Sequence, residues 1–269
     1  MSAKSDTSYD LPLQPKAARK NCAACEFQLT ECDLLTATTI ATNYWASHLG
    51  CSPEELFSLP LRVLTHGEDL NGCDGVVALF RGSAAIVSIP PEREAPLRDL
   101  LFSRPGAFSP QILAAALSPV TERIVGPASI SYSPKVAPPA HPPCDLGPEH
   151  AAARAALQQA CAPEDWEAGG GAEEDPSSGI FVDGQLAAQA GYEVWGGTIA
   201  HISIVTHPAF RNRGYGRSAV AHAAHRALAA GLLPQYRTLE TNGPSLRIAR
   251  SLGFQSYARS LAVRLRPQG

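Results

Sequence analysis

The sequence predicts a mixed α/β protein, and three stretches carry that expectation. Residues 199–231 read as an apolar strand, a loop holding Gly214 and Gly216, and an alanine-rich helix. Residues 180–182 and 186–192 flank Asp183-Gly184, a pair suited to a two-residue hairpin turn. Residues 76–80 and 84–88 likewise flank Arg81-Gly82-Ser83. Between these regions, six prolines fall within residues 134–148. Such a run favours extended backbone with few internal contacts, so it divides the chain. The expected organisation is a disordered tail over 1–20, an α/β domain over 21–133, a Pro-rich linker over 134–147 and a second domain over 148–269.

Each element has a local reason. Leu34, Leu35, Thr38, Ala41, Thr42 and Trp45 place an amphipathic helix over 33–49. Ser52-Pro53-Glu54-Glu55 has the cap, first-turn proline and acidic first turn of a second, short helix. Residues 90–102 and 110–117 suit two more helices, and 120–132 a return to the sheet. In the second half, a helix is expected over 148–160, with Ala152, Ala156 and Leu157 on one face. Pro208 ends the strand after Ile202, Ile204 and Val205, because proline offers no ladder donor. Residues 236–240 form the next strand. Asn242-Gly243-Pro244-Ser245 opens a helix that Gly253 closes, and Leu261, Val263 and Leu265 alternate along a last strand.

Composition narrows the function. With 45% hydrophobic and 17% charged residues the chain can bury a core. A net charge of −3 shows no bias toward nucleic acid or anionic membranes. No apolar run reaches the roughly 20 residues of a spanning helix, and the first twenty residues lack the apolar centre of a signal peptide. The expectation is a soluble, cytoplasmic protein. Seven cysteines, an odd number, argue against a complete disulfide framework. Cys22-x-x-Cys25 with Cys32, His48 or Cys51 lacks the second short-spaced cluster of a structural zinc site, so no metal is expected.

The strand–loop–helix at 199–231 carries the chemistry. The first N–H groups of a helix have no intrahelical partner and sit at the positive end of its dipole. Glycines just before them let an anion approach the backbone, where a Cβ would intrude, and Arg211, Arg213 and Arg217 add charge. The loop is not the phosphate-binding pattern that needs G-K-[ST]. Nor is it G-x-G-x-x-G, because Ala219 stands in place of the third glycine.

Arg211-x-x-Gly214-x-Gly216, within V-T-H-P-A-F-R-N-R-G-Y-G, resembles the acetyl-CoA pyrophosphate loop of the GNAT superfamily of N-acetyltransferases. Asn242-x-x-Ser245-x-x-x-Ala249-x-x-Leu252-Gly253-Phe254 resembles that family's second signature, at the expected distance. The order of elements over 148–269 is the family's order, whereas the first half matches only in a short segment around Trp45. The resemblance implies a GNAT acyl-CoA N-acyltransferase fold in the second half. Acetyl-CoA would lie between the strand ending near Val205 and the strand from Tyr236. Ile204 and Val205 would pair with the pantetheine through their backbones. Arg211, Asn212, Arg213, Gly214, Tyr215, Gly216, Arg217 and Ser218 would hold the pyrophosphate, with Asn242 and Ser245 on the far side. The implied activity is acetyl transfer to a primary amine by direct attack in a ternary complex. The alternative is a coenzyme-binding pseudoenzyme or sensor; an oligomer is left open. Ala249 stands where many members carry the tyrosine that protonates the leaving thiolate.

Glu193 and His201 are the nearest candidates for the catalytic base. No lysine or arginine occurs between Arg154 and Arg211, an interval that holds Glu164, Asp165, Glu167, Glu173, Glu174 and Asp175. With Trp166 as a cation-facing ring, Glu164, Asp165 and Glu167 are candidates for the acceptor side, which points to a cationic acceptor.

Overall fold

A computed structural model describes residues 29–103, 108–169 and 176–267. The expected tail, the Cys22/Cys25 pair and the acids Glu173, Glu174 and Asp175 lie outside the described residues.

Helix α1 (Glu31–Leu49) begins with a capping box, in which Thr30 and Asp33 satisfy each other's backbone N–H groups, and ends at Gly50 in the left-handed conformation. Ala37, Ala41, Trp45 and Leu49 recur every fourth residue and form its buried stripe. No helix follows at Ser52. The segment makes one turn, with the Glu55 carboxylate accepting from Ser52 N–H and from Arg62, and Phe57 (φ 62°) leaves the helical region. The capping chemistry expected there serves a turn because the chain reverses before a second helical turn can form.

Strands β1 (Arg62–Thr65), β2 (Gly75–Arg81) and β3 (Ala84–Ile89) follow, then α2 (Glu94–Phe102), α3 (Pro110–Leu117) and β4 (Thr121–Tyr132). After the proline run come β5 (Cys144–Leu146), α4 (Ala151–Ala160), α5 (Pro163–Ala168), β6 (Ser177–Val182), β7 (Gln185–Trp195) and β8 (Ile199–Thr206). Then α6 (Tyr215–Ala229), β9 (Leu233–Leu239), α7 (Gly243–Leu252) and β10 (Gln255–Leu265) complete the described chain. The hairpins at 76–88 and 180–192, the helix at 110–117 and the strand–loop–helix at 199–231 stand as the sequence predicts. Strand β9 begins three residues earlier than expected.

The described strands form one ten-stranded sheet in the order β1-β3-β2-β10-β4-β9-β8-β7-β6-β5. Only β1 with β3 and β8 with β9 run parallel. Strand β4, from the first half of the chain, lies between β9 and β10 of the second half and is antiparallel to both. Alternation then distributes the helices. Val76, Ala78 and Phe80 face the core under α2 and α3, whereas Leu79, Ile130, Tyr132 and Ile199 face α1. Helices α6 and α7 cover Ala188, Ala190, Ile202 and Tyr236. The buried face of α6 is made of small residues, mostly alanine with Gly216, Ser218 and Val220, which lets its backbone lie close to the sheet.

The proline run has more contacts than its composition suggested. Val136 and Ala137 are buried in the core beneath α6, and Cys144–Leu146 pairs with β6 as an edge strand. Proline cannot donate to a ladder, but the residues between prolines can, and an edge position asks for donors on one side only.

Candidate functional site

The parallel pairing of β8 and β9 runs from Ile199↔Leu233 to Ile202↔Tyr236 and stops there. Beyond that point β8 stays with β7 and β9 stays with β4, so the two strands part. The fork has a parallel ladder at its base. Its β8 arm contains Ile204 and Val205, and that arm leads directly into the loop before α6.

The loop is built as the sequence suggests, with a different reason for one glycine. Gly214 (φ 83°) caps α6 in the left-handed region, and Asn212 (φ 62°) shares that conformation. At Gly216, an added Cβ would lie 2.6 Å from Thr206 Oγ1. That glycine is required for the first turn of α6 to pack against the end of β8, more than for the approach of a ligand. The first turn leaves the N–H groups of Tyr215, Gly216 and Arg217 without intrahelical acceptors. Ser218 N–H closes onto Gly214 O, and Ser218 Oγ, fully buried, accepts from the amides of Ala140 and His141. Ser218 therefore anchors the proline run to α6.

The arginines divide. Arg211 donates to Asp165 at 2.8 Å, and Arg217 reaches the carbonyls of Pro138 and Ser251. Arg213 lies over the Phe210 ring at 6.0 Å. His141 Nε2 lies 3.0 Å from Arg213 O, and its ring packs on Tyr215. Across the fork, Asn242 caps α7 by accepting from Ser245 N–H, and Ser245 Oγ meets Tyr236 Oη at 2.8 Å. Tyr236 is buried, which pushes its phenol up to about 12. Ala249 is buried in the same core cluster.

Glu193 and His201 are cross-strand partners on β7 and β8, and the structure brings them to one face at the base of the fork. Trp195 joins them: its ring stacks on His201 at 4.0 Å and its Nε1 donates to Glu193 at 2.9 Å. His201 Nδ1 meets Gln235 Oε1 at 2.9 Å, Gln235 Nε2 donates to Tyr132 Oη at 2.6 Å, and Trp45 Nε1 donates to the same phenol at 2.8 Å. With Gln235 so placed, His201 carries its proton on Nδ1 and presents Nε2 as an acceptor. Burial pulls its pKa down to about 4, against the opposing effect of the hydrogen bond that Nδ1–H donates to Gln235. His201 is therefore neutral at physiological pH and a weak base. Between pH 6.5 and about 4 the unfolded chain binds a proton there that the folded chain refuses. Stability is full above pH 6.5 and falls as pH drops through that window, by up to roughly 3 kcal/mol. Melting curves of wild type and His201→Gln across pH 7 to 4 check this: the variant should lose part of the acid-side slope, and an unchanged slope would contradict it.

The acids expected on the acceptor side have other contacts or lie exposed. Asp165 is tied to Arg211 of the loop, and Trp166 packs against the cluster of Leu157, Leu186 and Val205. Glu164 and Glu167 are exposed on α5. The C-terminal end of α5 rests on β8, where a Cβ on Gly169 would lie 2.4 Å from Val205 Cγ2. Several polar residues at the base of the fork escaped the sequence reading: Tyr132, Gln235 and Arg237, with Trp45 and Tyr44 from α1. Alternation along 233–239 was the available signal, since Gln235 and Arg237 interrupt an otherwise apolar strand face.

A scan against family models matches residues 147–254 to the acetyltransferase (GNAT) family. Over that segment the chain is similar to a GNAT acetyltransferase domain. The matched segment begins just before α4 and ends at Phe254, so it contains the fork, the glycine loop and α7. No curated protein matches the chain. Similar solved structures include an acetyltransferase of the GNAT family from Colwellia psychrerythraea, 18% identical over 56% of this chain and 60% of that one, with a TM-score of 0.45. A GCN5-related N-acetyltransferase from Kribbella flavida is 21% identical over 58% of this chain and 64% of that one, with a TM-score of 0.43. Another, from Sphaerobacter thermophilus, is 12% identical over 87% and 94%, with a TM-score of 0.45. The match spans less than two thirds of the length of the first two. Among the described residues, no cluster of metal-ligating side chains is found. No described helix is long and apolar enough to cross a membrane.

Proposed function

We propose that the protein transfers an acetyl group from acetyl-CoA to a primary amine, the amine attacking directly within a ternary complex. The single observation behind this reading is the continuity of the fork between β8 and β9 with the glycine-opened start of α6. A fork offers backbone groups to an extended chain, and the helix start offers free N–H groups to an anion; acetyl-CoA has both parts. The cradle fits: left-handed Gly214 and the absent side chain of Gly216 bring the α6 amides against the end of β8. When bound, acetyl-CoA supplies the acyl group as an activated thioester.

The chain's own residues then have distinct tasks. Ile204 and Val205 provide backbone on the β8 arm. The amides of Tyr215–Arg217, with Arg213 and Arg211, face the pyrophosphate, and Asp165 holds Arg211 in place. Asn242 orders the opposite wall as the cap of α7, and Ser245 is held by Tyr236. His201 Nε2, neutral and poorly basic, accepts a hydrogen bond from an amine that arrives already deprotonated, and Glu193 lies beside it. A thiolate leaves without a dedicated acid more readily than an alkoxide would, since thiol pKa values lie near 8.5.

Free-thiol detection with acetyl-CoA and a panel of amines tests the reading. Amine-dependent thiol release is expected, weakened at least tenfold in kcat/KM by Arg213→Glu, about 1.4 kcal/mol. Stabilisation by acetyl-CoA without thiol release for any amine would favour the coenzyme-binding regulator instead.

A further inference from the structure

Between α1 and the sheet lies a cavity of about 480 Å³, a volume suited to a small organic ligand. Tyr44 and His48 of α1, Asp69, Trp195, Arg237 and Ser260 are among the residues that line it. Arg237 follows Tyr236, the last residue of β9 paired with β8, so the cavity adjoins the base of the fork.

Two polar groups that line it are unmatched, the half-buried Arg237 and the buried Ser260. The Arg237 guanidinium has neither a hydrogen bond nor a carboxylate partner among the described residues; its electrostatic neighbours include the phenols of Tyr44 and Tyr132. Ser260, 3% exposed, has an Oγ without a hydrogen-bond partner. A guanidinium drawn away from water with no anion is unfavourable, and burial accordingly pulls its pKa down. The carboxylates nearby are already engaged: Asp69 lies 3.2 Å from His48 Nδ1, and Glu193 accepts from Trp195. The rings of Tyr44 and Trp195 stack at 6.3 Å with 23° between planes, forming a flat apolar wall.

We infer that this cavity receives a carboxylate-bearing acyl acceptor with a flat or apolar body, its carboxylate held by Arg237 and its body against Tyr44 and Trp195. The inference rests on the acetyl-transfer reading for the word acceptor; the carboxylate site does not. It opposes the cationic acceptor expected from the acids of α5, of which Asp165 is committed to Arg211. A guanidinium matches a carboxylate with two parallel N–H donors, which Lys cannot reproduce.

The test uses the full chain and the fluorescence of Trp45 and Trp195 at the cavity wall. N-acetylphenylalanine, whose amine is blocked, is the probe, and its neutral amide is the control. The expected result is a saturable change with the acid, at least tenfold weaker with the amide, and loss of that preference in Arg237→Met. Removing an unpaired, half-buried charge should leave the melting temperature equal or higher; if Arg237→Met fails to fold, Arg237→Lys should weaken the acid preference by severalfold. In the transfer assay, phenylalanine should exceed phenethylamine at least tenfold in kcat/KM with wild type only. Equal binding of acid and amide by folded wild type overturns the inference. Acid preference without acetyl transfer to any amine keeps the carboxylate site and removes the acetyl-transfer reading instead.

Discussion

A fragment that begins at Asp145 is expected to fail to fold, although it contains every element of the segment that matches the GNAT family. Strand β4 is the reason. It lies between β9 and β10, so its removal unpairs one edge of each and leaves the two strands separated by an empty place in the sheet. Ile130 and Tyr132, both buried, go with it. So do Trp45 and Leu49 of α1, which cover the opposite face of β8 and β9, and Val136 and Ala137 beneath α6. Each large side chain contributes on the order of 2 kcal/mol by burial, against a total domain stability of about 5–15 kcal/mol. The expected outcome is an insoluble or unfolded fragment by circular dichroism, rescued in part by co-expression with residues 1–144. A cooperative melt for the isolated fragment would contradict the role assigned to β4.

Gly216→Val is the second large effect. Its Cβ would lie 2.6 Å from Thr206 Oγ1, so either the Thr206 side chain or the first turn of α6 must give way. The neighbouring core, Ala219, Val220 and Ala223, is fully buried and has no slack. Overpacking of this kind costs about 1–3 kcal/mol, and the displaced amides should also lose their grip on an anion. The single variant should melt several degrees lower and no longer be stabilised by acetyl-CoA. Gly216→Ala alone should already lose stability, and Thr206→Ala combined with it should recover most of that loss, because the contact is with that one hydroxyl. A Gly216→Val protein with wild-type melting and full response to acetyl-CoA would show the packing argument to be wrong.

Local patterns carried most of the second half. The Asp183-Gly184 turn, the glycine caps at Gly214 and Gly253, and the alternation along 199–206 each depend on residues close in sequence, so they could be read directly. The place of β4 could not, because pairing across more than a hundred residues leaves no local trace. Strand β1 is four residues long, and β5 hides among prolines. The turn at 52–57 shows the converse: good capping chemistry without the length of chain to use it. At the site, the loop was legible from its glycines and arginines. The role of Asp165 was not, since its partner Arg211 lies 46 residues away. Arg237 and Ser260 draw their meaning from α1 above them, which the sequence of β9 and β10 cannot show.

Thiol release from acetyl-CoA by the full chain, measured with and without amine, tests the central claim most directly. Wild type is predicted to release thiol only when an amine is present, with one N-acetylated product formed per thiol. Arg213→Glu should slow that reaction at least tenfold in kcat/KM while melting like wild type, because Arg213 lies on the loop surface and not in the core. Thiol release that ignores the amine, or an Arg213→Glu protein as fast as wild type, would contradict the account.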